Sequence, residues 1–454
     1  MSEMKIETKT ANDGVLAQNL SRRGLLRYAL PTALMMLLMS TYSVVDGLFA
    51  ANFVGADALA AITLAYPLIM VLDGLGFMLG TGGVALVAKT LGSGDTARAR
   101  GLFSFFVICC AVLGAALAAI GIPCLQPLLG LMGADAHLAS MAAEYGVILL
   151  LAMPAGMLQG MFQECYSATG KPTAGLVFTL AAGTTNVVLD YVLMGPAELG
   201  IAGAAAATAA GQVVGGLLPI AFFLSKRSGL LRLVKPCVDF RALGKASLNG
   251  LSEMVDSASS SIVTTIYNVQ LLAYAGQEGI AAFAVVEYTL MVVTALEMGY
   301  IMGISPMISY KHGANDRAGL KSLFAKNMQI IGVMNVVFTV LTLVLSPHIV
   351  ALFAHGDAEL ANLATQALGV YAFAFLLIGF NFFGSVLFTA LNNGLVSGAI
   401  SFFRTLICES AFVLALPAAL GVWGIWLSAP CAEVVAFALT AACVIGLRKR
   451  YGYW

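Results

Sequence analysis

The sequence predicts an all-α membrane protein of twelve transmembrane helices, in two six-helix lobes related by a parallel internal repeat. Three observations predict this class. First, the 454 residues are 60% hydrophobic and only 10% charged, where a soluble globular chain carries about 25% charge. Second, the apolar residues come in long runs, such as "LLRYALPTALMMLLMSTYSVVDGLFAANFVG" and "VMNVVFTVLTLVLSPHIVALF". A run near 20 residues spans a bilayer as a helix. Third, the second half of the chain repeats the first. Continuous runs exclude an outer-membrane barrel, whose strands alternate in ten-residue segments. No strict 3.6-residue amphipathicity dominates, which excludes a soluble bundle.

The elements follow in order. Residues 1–25 form a polar tail that resembles no cleavable signal peptide. The N-lobe covers 26–225, with spans at roughly 26–50, 58–88, 102–122, 138–165, 174–196 and 200–225. A basic linker, 226–247, leads to the C-lobe, 248–447. Its spans fall at roughly 248–275, 279–310, 325–354, 361–390, 396–420 and 424–447. A basic tail, 448–454, ends the chain. Lys and Arg concentrate in the tails and in alternate loops: Lys5 to Arg27, Lys89 to Arg100, Lys171, Lys226 to Lys245, Lys311 to Lys326, and Arg448 to Arg450. The other loops ("GADA", "MGADAH", "GPAELG", "GQEG", "AHGDAE", "GVWG") contain none. The positive-inside rule then places both termini in the cytoplasm of a multi-pass protein of the cell's inner (plasma) membrane. Net charge is zero, so no nucleic-acid partner is implied. The eight Cys show no paired spacing and read as small hydrophobes.

The repeat is gapless over its clearest stretch. Shifted by 221 residues, "GADALAAITLAYPLIMVLDGLGFMLGTGGVALVAKTLGSGDTARARGLF" falls on "GQEGIAAFAVVEYTLMVVTALEMGYIMGISPMISYKHGANDRAGLKSLF". Gly55, Ala60, Ala61, Met70, Val71, Leu75, Gly82, Gly92, Asp95, Ala97, Leu102 and Phe103 meet identical residues. Six spans per unit is an even number, so the lobes share one orientation, as in one class of secondary transporters. No GxxxxGK[ST] pattern exists, which excludes P-loop ATP hydrolysis and points to an ion gradient.

Charged residues at membrane depth are expensive, and function is their default reading. With about 1.5 Å of rise per residue, five polar groups reach a similar depth in the outer half of the N-lobe: Asp46, Tyr145, Asn186, Asp190 and Thr208. Asn186 and Asp190 share a helix face. Two nearby carboxylates can share a proton and titrate as a pair. In the C-lobe, Glu253 and Asp256 stand near the cytoplasmic end, followed by "SASSSIVTT" and Asn268. Glu287 lies near Asn268 in depth, and Glu297 lies deeper. Asp73, Asn268, Glu287 and Glu297 are candidate lining of a substrate cavity. Arg404 alone is basic within a span and is expected in a structural ion pair, with Glu297 or Glu409 as partner. The four His, His137, His312, His348 and His355, fall mostly at loops or span ends. No metal-ligand spacing, HExxH or GxSxG is present, so no metal, cofactor or hydrolase activity is expected.

The motifs "VVDGLFAANFVGADALAAI", "GTGGVALVAKTLGSGD", "NVVLDYVLMG" followed by "GIAGAAAAT", and "FTALNNGLVSGAISFFRT" resemble the multidrug and toxic compound extrusion (MATE) family of antiporters. The likeness covers about residues 20–447 and is nearest to bacterial members with prominent first-lobe carboxylates. It implies a V-shaped, twelve-helix exporter of bulky, often cationic drugs, driven by inward protons or sodium. It also implies a cation-coupling cluster of Asp46, Asn186, Asp190 and Thr208 by motif, with Tyr145 by spacing. One departure is visible. The sodium-coupled branch carries a tenth-span Asp where this chain has Asn381, here expected to line the C-lobe cavity.

The expected function is therefore a secondary multidrug antiporter, not an enzyme. Protons are favoured as the coupling ion, with sodium as the alternative, and the partners expected are toxic organic cations and the lipid bilayer. A monomer is expected. The competing reading is a lipid-linked saccharide flippase of the same superfamily, whose cavity would need several Arg or Lys for phosphate; a channel or sensor ranks third.

Overall fold

The computed structural model of the chain describes residues 14–131, 136–354 and 358–454; Lys5, Lys9, loop residues 132–135 and His355 lie outside these. Among the described residues all regular structure is helical. A single turn, α1 (Gly14–Ala17), precedes the N-lobe helices α2 (Arg22–Phe49), α3 (Ala56–Gly92), α4 (Thr96–Leu131), α5 (Ala136–Ala168), α6 (Pro172–Met194) and α7 (Gly200–Leu224). The C-lobe holds α8 (Phe240–Gly313), α9 (Arg317–Ala354), α10 (Ala358–Tyr371), α11 (Phe375–Ala390), α12 (Gly394–Ser401), α13 (Ser410–Leu420) and α14 (Val422–Tyr451). Eleven helical segments among the described residues are long and apolar enough to cross a membrane. One of them, α8, has 74 residues and breaks at Gly276 (φ 64°, ψ −157°), so it supplies spans seven and eight and brings the crossings to twelve.

Local chemistry explains where the helices start. Ser21 Oγ caps α2 by accepting from the Gly24 amide at 3.2 Å. Asp95 Oδ1 accepts from the Arg98 amide at 3.0 Å, and its repeat mate Asp316 accepts from the Gly319 amide at 2.8 Å. The loops "GSGD" and "GAND" therefore match because both end in the N-cap of a span, where a side-chain oxygen satisfies an orphan N–H. The repeat extends to backbone conformation. Left-handed residues recur in pairs: Gly55 with Gly276, Gly94 with Asn315, Gly170 with Asn392, and Gly200 with Gly421.

The expected linker 226–247 is shortened. Asp239 Oδ1 accepts from the Ala242 amide at 2.9 Å and starts α8 at Phe240, so the basic residues Arg241 and Lys245 ride on the first turns of span seven. The remaining stretch is tied to the N-lobe. Val234 N donates to Ser104 Oγ at 2.8 Å, Cys237 N donates to Gly101 O at 3.0 Å, and Leu231 is fully buried.

The lobes meet mainly through α2 and α3 against α8. Glycine makes this contact close. A Cβ on Gly92 would overlap the Tyr310 carbonyl, and one on its mate Gly313 would overlap the Lys89 carbonyl. Gly82 likewise lies on the Ala246 carbonyl and Gly250, while Gly303 lies on Ala29. Lys89 and Tyr310 correspond under the same shift, as do Ala29 and Gly250, so each contact occurs twice about a pseudo-twofold axis. Among the described residues, every glycine that touches the other lobe's backbone lies in the helix halves that adjoin the basic loops.

Candidate functional site

In the N-lobe, α2 is pressed onto α6 by Tyr42. Its ring packs against Gly183, where any Cβ would collide with it, and its hydroxyl donates to Thr179 O at 3.1 Å. One turn further along each helix, Asp46 faces Asn186 and Asp190. The two carboxyls lie within hydrogen-bonding reach of each other, and Asn186 lies within reach of Asp46. No aligned partner satisfies Asp46 Oδ1, either Asp190 oxygen or either Asn186 amide atom, all of which are buried. Asp190 is 0% exposed. Two acceptor-only carboxylates cannot bond each other, whereas one carboxylic acid and one carboxylate can. The helix α7 closes the group: a methyl on Gly211 would stand 3.1 Å from Asn186 Cβ.

Of the five predicted residues, the structure brings Asp46, Asn186 and Asp190 together. Thr208 turns its hydroxyl to its own helix, donating to Ala204 O at 3.1 Å. Tyr145 is buried on α5, which packs against α3, α4 and α7.

The C-lobe departs from expectation. Arg404 pairs neither with Glu297 nor with Glu409. Its Nε donates to Glu433 Oε1 at 2.8 Å, Nη1 lies 3.9 Å from Asp256 Oδ1, and the guanidinium stands 4.1 Å above the Phe382 ring. Asn381 Nδ2 donates to Glu433 Oε2 at 2.6 Å, and Thr405 donates to Asp256 at 2.9 Å. The network joins spans seven, ten, eleven and twelve. It is set in a π-helical stretch, Phe402–Glu409, whose widened turn displaces Arg404 from ordinary helical register. Glu409 shares that stretch but makes no ion pair among the described residues.

Two residues expected to line a cavity are buried. Asn381 is 0% exposed and Glu297 is 1% exposed. Glu287 and Asp73 are half-buried, and Asn268 is exposed. A crevice of about 10 Å³, bordered by Ser252, Glu253, Asp256, Asn381 and Arg404, has about the room one water needs. A shallow groove of about 570 Å³ runs along one face of α6, lined by Val177, Ala181, Thr184, Thr185 and Val188.

Sequence reasoning passed over Glu433 and Glu164. Each is a lone carboxylate in an apolar run, "APCAEVVAFALT" and "GMFQECYSATG", the same signal that exposed Asp46. Glu164 is buried against Gly80, its Oε1 lacks a partner, and its nearest charged influence is Glu253 of the other lobe.

Two parallel six-span lobes, in close glycine contact beside the basic loops and each holding buried ionisable groups, define the class of secondary transporters. Within that class the chain belongs to the MatE family, whose sequence model matches residues 31–192 and 254–413, one stretch in each lobe. This is a family of transporters, not of enzymes. The chain is 25% identical over 377 residues to the multidrug export protein MepA of Staphylococcus aureus (strain MSSA476), covering 82% of each chain. It is 27% identical over 435 residues to MepA of Staphylococcus haemolyticus (strain JCSC1435), covering 94% of each. A crystal structure of MATE in complex with MaL6 superposes with a TM-score of 0.90 at 21% identity, covering 97% of this chain and all of that one. That last likeness concerns the fold.

Proposed function

We propose that this protein exports bulky, cationic organic compounds from the cytoplasm across the plasma membrane in exchange for protons. The observation that carries the reading is the buried Asp46–Asp190 pair, two carboxyls within reach of one another and beside a neutral amide. Such a pair takes up one proton readily and resists full ionisation in a low dielectric. The multidrug export named for the MepA relatives supports the substrate class. The basic loops mark the cytoplasmic side, so the glycine contacts hold the lobes together at the cytoplasmic end. Uptake of a proton from outside removes one of the pair's two charges, and rocking about the pseudo-twofold axis carries the site to the other face.

Arg404 argues against a saccharide-lipid flippase, because its charge is already matched by Glu433 and Asp256. The deciding experiment is export of an ethidium-like cation from proteoliposomes under separate proton and sodium gradients. Export driven by the proton gradient supports the reading; export that follows sodium and ignores pH replaces the proton with sodium.

A further inference from the structure

Glu297 is buried inside the C-lobe with both carboxylate oxygens lacking a partner. The repeat shows how room for it arises. In the N-lobe, Gly76 packs on Met157, where a Cβ would lie 2.9 Å from the Met157 Cα. At the matching crossing the sizes are exchanged: Glu297 stands at the position of Gly76, and Gly379 at that of Met157 once the repeat slips by one residue, as it also does where Gly170 pairs with Asn392. Asn335 similarly occupies the position of Gly114, which packs on Pro154. Polar side chains have thus entered a helix crossing that small residues fill in the other lobe.

The amide of Asn335 has a fixed orientation. Its Nδ2 donates to Leu376 O at 2.9 Å, so Oδ1 faces the other way, and that oxygen is buried without a donor. Oδ1 and Glu297 Oε2 converge over the same glycine. A Cβ on Gly379 would overlap the first and lie 3.0 Å from the second. Two acceptors therefore face one site, and neither has an N–H or O–H directed at it. Flipping the amide would set Oδ1 against the Leu376 carbonyl and only move the conflict. A carboxylate here would be a buried charge without a bonding partner, which is costly. A carboxylic acid is different, because its O–H can donate to Asn335 Oδ1 and satisfy both oxygens. The charged groups that act on Glu297 from the packed helices are Glu433 of α14 and Arg404 of the π-helical stretch, and these two already neutralise each other.

We propose that Glu297 binds a proton in this conformation, donating it in a hydrogen bond to Asn335, and that it is a second proton-carrying site separate from Asp46 and Asp190. Its part in transport rests on the proton-driven reading above; the bound proton does not.

The test is infrared difference spectroscopy of the full-length protein in lipid nanodiscs at neutral pH, wild type against Glu297→Gln. Gln keeps the shape and can donate to the same oxygen. The wild type should show a protonated-carboxyl carbonyl band that is absent from the variant, shifts in D2O and survives in Asp46→Asn. Superimposable spectra overturn the proposal, as does a band that sodium salts abolish at constant pH. Asn335→Leu gives an independent check: removing the acceptor should shift the same band to higher frequency, and an unmoved band overturns the assignment. In proteoliposomes, Glu297→Gln should release fewer protons per drug molecule exported, and an equal yield removes Glu297 from the carriers. Because the spectra require no transport, a failed coupling mechanism and a failed proton site give different results.

Discussion

The proposed exchange makes Asp46 and Asp190, which face each other across the α2–α6 contact, one proton-binding unit. Asp46→Asn or Asp190→Asn should bring drug-evoked proton release in proteoliposomes to background while equilibrium drug binding stays measurable. Retention of coupled export by Asp46→Asn would reduce Asp46 to a packing residue. Arg404 makes a different kind of prediction. Removing one partner of a buried ion pair strands the other charge and costs about 3–5 kcal/mol. Arg404→Met should therefore lower the unfolding midpoint sharply, and adding Glu433→Met should restore most of the loss, since two well-packed apolar groups replace the pair. Equal destabilisation by single and double variants would show that the pair is not the origin. The sequence disclosed Asp46, Asn186 and Asp190 because a lone polar group in an apolar run is conspicuous and helical rise gives its depth. It did not disclose the partner of Arg404. Depth says nothing of which way a helix is rotated, and Glu433 comes from another span, brought near by packing.

At the level of helices, span number and order were readable from hydropathy, whereas span ends were not. The helices begin in polar sequence because capping side chains such as Asp95 and Asp239 set their starts, and hydropathy does not register a cap. The π-helical stretch around Arg404 left no sequence signal either. The glycine contacts yield a prediction about state. Gly303→Val would press a branched side chain on Ala29, and overpacking costs about 1–3 kcal/mol. Since about 1.4 kcal/mol is tenfold in a population ratio, the closed end should open. In everted vesicles, a single Cys at Met78, only 9% exposed here, should react with an impermeant thiol reagent far faster in the Gly303→Val background. Unchanged reactivity would mean that this contact does not hold the end shut. The corner between α8 and α9 gives a pH prediction. Burial alone would raise the Asp316 carboxyl, but the Gly319 amide at 2.8 Å and the Lys311 ammonium at 3.2 Å outweigh it and hold it below the usual carboxylate range. A depressed folded value contributes stability above the unfolded carboxylate's titration, and that contribution is lost as pH falls through the lowered value. Asp316→Asn should therefore lower stability at neutral pH and flatten its acid dependence in thermal unfolding.

Across the whole molecule, the orientation expected from the basic loops can be read with a native side chain. Cys237 is exposed in the linker. In a variant that keeps only this thiol, an impermeant maleimide should leave intact cells unlabelled and react after lysis, while Glu198→Cys in a Cys-free chain should label in intact cells. The opposite pattern would invert the topology. The duplication was legible from aligned loops; the axis that relates the lobes was not, because it depends on which glycine meets which carbonyl. That reciprocity, Gly92 on Tyr310 and Gly313 on Lys89, has an ancestral meaning. Mutual contact of equivalent surfaces is how two identical protomers bind across a twofold axis. The chain carries the imprint of a homodimer whose subunits became fused end to end, and the covalent join is then a convenience of synthesis. Residues 1–225 and 226–454, produced as separate polypeptides in one cell, should find each other in the membrane and restore drug resistance. Either piece alone should confer none.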